Sequence, residues 1–208
     1  MIKNIKNIVF DLGNVILDID TNLSKAAFIN YGLKDFDKLY TLAAQSEIFD
    51  RLEIGSISPN EFYNEFRQLT NTDLSNDVIK KCWNALILDY TQDRIDLLIE
   101  LKKHFRTFIL SNTNFIHYQS YTRLLIDKYN VNGLESIVEK AYFSHEIGLK
   151  KPDSKIYELV LTESNLKAEE TLFVDDNRYN IEAAKVLGFK TIFLENEKIE
   201  NIDFKGFI

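Results

Sequence analysis

The chain has 208 residues, 45% hydrophobic and 27% charged, with a net charge of −7, a composition expected of a soluble globular protein. The negative charge argues against nucleic acid or an anionic membrane as the main partner. The single cysteine, Cys82, excludes an intramolecular disulfide and fits a reducing compartment. No apolar run approaches the ~18 residues of a membrane span, so a cytoplasmic location is the expectation.

In chain order, residues 5–10 read as a first strand, the apolar run Ile8-Val9-Phe10 ending at Asp11. Short apolar runs closed by polar residues mark strands buried on both faces of a parallel sheet. From Asn22 to about Leu88 no β-type run is convincing. Apolar residues recur there three or four apart, as on one face of a helix. Helices are predicted over 23–30, over 36–44, after the start Ser58-Pro59-Asn60-Glu61, and over 77–88. At that start Ser is placed to cap, Pro to occupy the first helical position and Glu to complete a capping box. Strand–helix alternation resumes at Asp93, with a helix over 93–103, a strand over 107–110 and a helix over 117–129. A short strand over 141–143, a helix over 154–163 and a strand over 171–175 follow. A helix over 178–187, stopped by Gly188, and a strand over 189–194 complete the pattern. Such alternation builds a parallel sheet covered on both faces. The expected fold is an α/β, Rossmann-like core over residues 1–16 and 90–208, with an α-helical cap inserted over 17–89.

Three predicted strands run into polar residues. Ile8-Val9-Phe10 leads to Asp11-Leu12-Gly13-Asn14-Val15, Phe108-Ile109-Leu110 to Ser111-Asn112-Thr113-Asn114, and Leu172-Phe173-Val174 to Asp175-Asp176-Asn177. Ligands of open parallel sheets bind outside the carboxyl ends of the strands, so the three groups should meet along one rim. Asp11 suits a carboxylate nucleophile or a metal ligand, or equally a cap on the following turn. Gly13 is expected to let the chain turn sharply and bring backbone close to a ligand. Asp175 and Asp176 are neighbouring like charges. With Asp11 they make a hard-oxygen set suited to Mg²⁺. The Ser111 hydroxyl and the amides about Asn112 can hold phosphate oxygens at the start of a helix. A catalytic serine would lack its usual Gly-x-Ser-x-Gly elbow. Lys151, stiffened by Pro152, serves as an ion-pair partner or a phosphate clamp, with Lys150 a solvated neighbour.

In this order the motifs resemble the haloacid dehalogenase-like hydrolase superfamily across the whole chain. The stretch Phe10 to Val15 and Ser111-Asn112-Thr113-Asn114 look most like bacterial phosphatases that act on glucose 1-phosphate. The helices between the first strand and Ser111 match a subfamily I cap. The resemblance implies a phosphatase that hydrolyses a small phosphorylated metabolite through an aspartyl phosphate. It implies Asp11 as nucleophile and Ser111, Asn112 and Lys151 around the phosphoryl group. Mg²⁺ would sit on Asp11, the Gly13 carbonyl and Asp176, with Asp175 and Asn180 in support.

The chain departs from this pattern at one position. Most phosphatases of the superfamily carry an acid/base aspartate two residues after the nucleophile, where this chain has Gly13. A missing general acid costs ~10²–10⁴-fold in rate. Either the leaving group is a good one, as in a sugar 1-phosphate, or another residue donates the proton. Asp18, Asp20 and His117 are the candidates, with Asp18 and Asp20 read first as helix-start or hinge residues. Two further readings remain. One is a 2-haloacid dehalogenase, which attacks carbon with the same aspartate and usually has an aromatic residue in place of Gly13. The other is a catalytically weak protein that binds a phosphorylated metabolite. Arg51, Glu53 and Tyr63 are cap residues placed to face a substrate.

Overall fold

The computed structural model describes residues 4–33, 47–195 and 197–207. Five parallel strands form the central sheet: β1 (Asn7–Phe10), β4 (Arg106–Ser111), β5 (Lys140–Phe143), β6 (Thr171–Asp175) and β7 (Lys190–Phe193), in the order β5-β4-β1-β6-β7. Every residue of β1 and β6 is buried, because helices cover both faces. Ile8, Phe10, Ile109, Leu172 and Val174 point to one face, where they meet α5 (Gln92–Leu101) and α6 (Phe115–Tyr129). Val9, Phe108, Leu110 and Phe173 point to the other, against α8 (Ser154–Glu163) and α9 (Arg178–Val186). This two-sided burial is why the sequence reads as unbroken apolar runs rather than alternation. The chain fills one side of β1 with β4 and β5, then crosses to the other with β6 and β7. The crevice at that switch opens at the carboxyl end of β1.

A two-stranded antiparallel pair, β2 (Leu17–Ile19) and β3 (Ile87–Tyr90), stands beside the sheet. Between its strands lie α1 (Thr21–Asn30), α2 (Ile48–Glu53), α3 (Pro59–Thr70) and α4 (Asn76–Asn84). These helices share an apolar cluster of their own, including Phe28, Leu52, Phe62, Phe66, Ile79 and Cys82, which Ile116 of α6 joins. Asp20 caps α1 by accepting from the Asn22 amide at 2.9 Å. Ser58 and Glu61 cap α3 reciprocally, with Pro59 in its first turn.

Several expectations need correction. The helix predicted over 77–88 ends at Asn84, and Ile87–Tyr90 is a strand. Leu17–Ile19 is its partner, unforeseen because three or four residues cannot display a period. The short helices α2 and α7 (Ser144–Ile147) were also not expected. The helix predicted over 36–44 lies outside the described residues. No helix among the described residues is long and apolar enough to cross a membrane.

One buried charge ties β2 to the core. Arg94 of α5 is only 2% exposed and pairs with Asp18 Oδ1 at 2.7 Å and Glu200 Oε1 at 2.9 Å. Asp18 is thus an ion-pair partner rather than a helix-start residue. Removing both carboxylates with Asp18→Ala and Glu200→Ala leaves a buried guanidinium unpaired. We expect a loss of about 3–5 kcal/mol, or roughly 6–20 °C in Tm. Arg94→Met removes the charge together with its desolvation cost and should lose much less. Thermal melts of the two variants check this; equal losses would show that packing, not charge pairing, matters here.

Candidate active site

Three sheet strands and one loop deliver the site. Asp11 follows β1 directly and is anchored by its amide donating to the Val174 carbonyl at 2.8 Å. Ser111 ends β4, and Asp175 ends β6. Lys151 comes from the loop between α7 and α8. Its ammonium is sealed from solvent and donates to Asp11 Oδ1 and Asp175 Oδ2, both at 2.7 Å. The four predicted groups therefore converge at the carboxyl end of β1.

Each member is held by its neighbours. Asp175 is fully buried and accepts from the Asn177 amide at 2.7 Å. The Asn180 side-chain amide donates to both its oxygens at 3.1 Å. Asn112 clamps Lys151 from behind: its Nδ2 donates to the Lys151 carbonyl and its Oδ1 accepts from the Lys151 amide, each at 2.8 Å. The side chain of Asn112 is thus taken up by the lysine backbone, which leaves its own backbone amide as the group available to a phosphate. The Ser111 hydroxyl has no partner among the described residues, although Ser111 is buried.

The charge balance is uneven. Burial pushes Asp11 up, Lys151 opposes this, and Asp175 and Asp176 add to the rise, leaving its pKa at about 7. Burial also raises Asp176, with Asn14 opposing and Asp175 reinforcing. For Lys151, burial disfavours the charge, but Asp11 and Asp175 outweigh it and hold the pKa above its ordinary value. One lysine thus faces three carboxylates. Asp11, Asp175 and Asp176 each offer an oxygen within 4.8 Å of the others. Opposed ligands on one Mg²⁺ stand about 4 Å apart, so the donor chemistry fits a small hard cation, which would draw these oxygens in and offset the excess charge.

The loop after Asp11 turns differently from expectation. The left-handed residue is Asn14, with φ 55°, and not Gly13. Asn14 tolerates this backbone because its short amide bonds locally. Its Nδ2 donates to Asp176 Oδ2 at 3.1 Å and its Oδ1 accepts from the Ile19 amide at 3.3 Å. Gly13 matters for space: an added Cβ would stand 3.1 Å from Ile19 Cδ1.

Other expectations resolve as follows. Lys150 is not simply solvated; it binds Asp50 and, at 3.1 Å, Glu53 of α2. Arg51 forms a two-pronged pair with Glu65 at 2.8 and 3.0 Å, and Tyr63 is buried among the helices. His117 is part-buried, and desolvation of its ring pushes its pKa down to about 3. Ser144 was missed. Its hydroxyl accepts from the Thr113 amide at 2.9 Å and lies 2.7 Å from the Glu53 carbonyl, joining the β4 loop to α2. The signal was present: Ser144 follows the apolar run of β5 just as Ser111 follows the apolar run Phe108-Ile109-Leu110 of β4.

A larger cleft, about 550 Å³, opens at the opposite, amino-terminal end of the sheet among Lys6, Lys102, Lys103 and Arg106. Most of its cations are already engaged: Lys6 by Glu170, Lys103 by Glu100, Arg106 by Glu139, and Lys102 by the carbonyls of Ser136 and Val138, with Lys167 also on its wall. It brings no nucleophile, so the chemistry belongs to the carboxyl rim.

The profile of the haloacid dehalogenase-like hydrolase family matches residues 5–188, and the chain belongs to that family. It is 35% identical over 195 residues to D-ribitol-5-phosphate phosphatase of Bacteroides thetaiotaomicron, covering 92% of this chain and 93% of the relative. It is 28% identical to glyceraldehyde 3-phosphate phosphatase of Pyrococcus furiosus, covering 98% of this chain and 86% of that one. A family enzyme of B. thetaiotaomicron, crystallised with magnesium and inorganic phosphate, superimposes with a TM-score of 0.82 at 28% identity, covering 97% and 98% of the two chains.

Proposed function

We propose that this chain is a Mg²⁺-dependent phosphatase that hydrolyses a small polyol or sugar phosphate through a phosphoryl group carried on Asp11. The observation that carries the reading is the buried Lys151 ammonium, 2.7 Å from both Asp11 and Asp175, with Asp176 alongside. The names of the relatives, both phosphatases of small phosphorylated metabolites, point the same way. In this reading the chain divides into an α/β core, about 1–16 and 90–208, and a helical cap, about 17–89.

In this reading Asp11 attacks phosphorus with the oxygen that Lys151 leaves free, Oδ2. A bond forms from Asp11 to phosphorus as the bond to the leaving alcohol breaks. Lys151 neutralises charge on the phosphoryl oxygens, and the unpartnered Ser111 hydroxyl donates to one of them. Asn112 acts through Lys151 by fixing its backbone. Water then releases phosphate and regenerates the carboxylate. Asp11, Asp176 and the Gly13 carbonyl would hold Mg²⁺, which when bound neutralises charge on Asp11 and the phosphoryl group. A dehalogenase attacking carbon has no need of Asp176, and a mere binding protein has no need of Asp11.

Gly13 leaves the departing oxygen without a side-chain acid. His117 is kept neutral by desolvation of its ring, Asp18 is paired with Arg94 and Asp20 caps α1. The rate should therefore depend steeply on leaving-group acidity. Sugar 1-phosphates should outrun sugar 6-phosphates, which is the ground for an anomeric phosphate as a second reading, and aryl phosphates should serve well. His117→Ala should leave that slope unchanged. A flat wild-type profile that steepens in His117→Ala would identify His117 as the donor. The reading as a whole is tested by a turnover screen over polyol, sugar and nucleotide phosphates with and without Mg²⁺. Hydrolysis of small esters only with the metal is expected; no phosphate release from any of them would overturn it.

A further inference from the structure

A small cavity of about 60 Å³ lies between the rim and the β2–β3 pair. Gly13 and Ser111 border it, Leu17, Ile19 and Ile87 give it apolar walls, and His117 and Tyr121 complete it. A water needs about 10–15 Å³ on this scale, so the space takes about four water-sized groups. None of the residues lining it is a cation or a carboxylate, so it suits the neutral part of an ester rather than a second charge.

His117 and Tyr121 are four residues apart on α6 and so share one face. His117 Nδ1 is 2.8 Å from Asn84 Oδ1, and its ring stacks on Trp83 at 5.5 Å with planes 6° apart. An amide oxygen only accepts, so Nδ1 carries the proton and Nε2 keeps its lone pair. Nε2 has no partner among the described residues. The Tyr121 hydroxyl is buried and likewise makes no hydrogen bond there. Burial keeps its pKa well above the ordinary value, outweighing the Thr113 hydroxyl beside it, which favours the ionised form, and leaves the phenol a donor. An unpaired buried hydroxyl is costly, and a ligand hydroxyl would relieve it. A hydroxyl is both donor and acceptor, so it can give its proton to Nε2 and accept from the tyrosine.

We propose that His117 and Tyr121 are specificity residues that read a hydroxyl group on the leaving alcohol, making the substrate class short, neutral, hydroxylated alkyl phosphates. The proposal rests on the phosphatase reading for its reaction but not for its recognition. The test compares glycerol phosphate with propyl phosphate, which lacks the hydroxyls, in wild type, Tyr121→Phe and His117→Leu. Wild type should prefer glycerol phosphate by at least ~10-fold in kcat/KM, and the ratio should fall toward one in both variants, chiefly through KM. The same ratio is measured as Kd for the non-hydrolysable methylenephosphonates of the two esters. A ratio near one in wild type, or an unchanged ratio in both variants, overturns the proposal. Discrimination between the phosphonates without hydrolysis of either ester would sustain the pocket and overturn the phosphatase reading instead.

Discussion

Asp11→Asn should lower turnover by at least ~10⁴-fold, the scale on which removing a catalytic nucleophile acts, while the protein keeps its fold. The amide preserves the shape and can still accept from Lys151, but it cannot attack phosphorus. Its effect on stability should run in the opposite direction. Asp11 is buried beside Asp175 and Asp176, and its pKa rises from 3.8 to about 7. Between those values the folded chain holds a proton that the unfolded chain has released, so wild-type stability falls as pH rises through that window. The asparagine has no such proton. In chelator above pH ~7, the variant should melt higher than wild type, and its Tm should lack the wild-type decline. Activity near wild type would mean that water attacks directly and Asp11 is not the nucleophile. A lower Tm at every pH would mean that Asp11 is there for structure.

The parts of this molecule that the sequence made legible are those where burial leaves little choice. Ile8-Val9-Phe10 and Leu172-Phe173-Val174 are covered on both faces, so nearly any polar residue was excluded and the strands announced themselves. The polar residues that follow such runs have to stand at the rim, which is why Asp11, Ser111 and Asp175 group together in the sequence itself. What escaped is local or relational. Leu17-Asp18-Ile19 is too short to show alternation, and its partner Ile87–Tyr90 follows a helix without a breaker to mark the change. α2 starts from Glu47 in a left-handed conformation with no side-chain cap, so no start signal was available. The work of Asn112 and Asn14 depends on which distant backbone group or carboxylate each amide meets, and spacing along the chain does not encode that. Arg94 illustrates the same limit. Its charge predicts exposure, and only the arrival of Asp18 and Glu200 explains its burial.

Removing divalent cations should abolish turnover, and restoring Mg²⁺ should recover it. The independent sign is thermal. Asp11, Asp175 and Asp176 share one lysine, so a cation that binds only the folded site must stabilise it. At one hundred times its Kd the gain is about 2.7 kcal/mol, or roughly 5–11 °C for a chain of this size. Asp176→Ala removes one of the three negative charges and one ligand together. Without the metal, the variant should melt above wild type, because Asp175 loses a like-charged neighbour that burial had already made costly to ionise. With Mg²⁺ the order should reverse, since wild type gains the binding energy and the variant gains little. A purely structural Asp176 would lower Tm under both conditions, so the crossing of the two curves separates the readings. Full turnover in chelator, or an undiminished Mg²⁺ shift in Asp176→Ala, would remove Asp176 from the metal site.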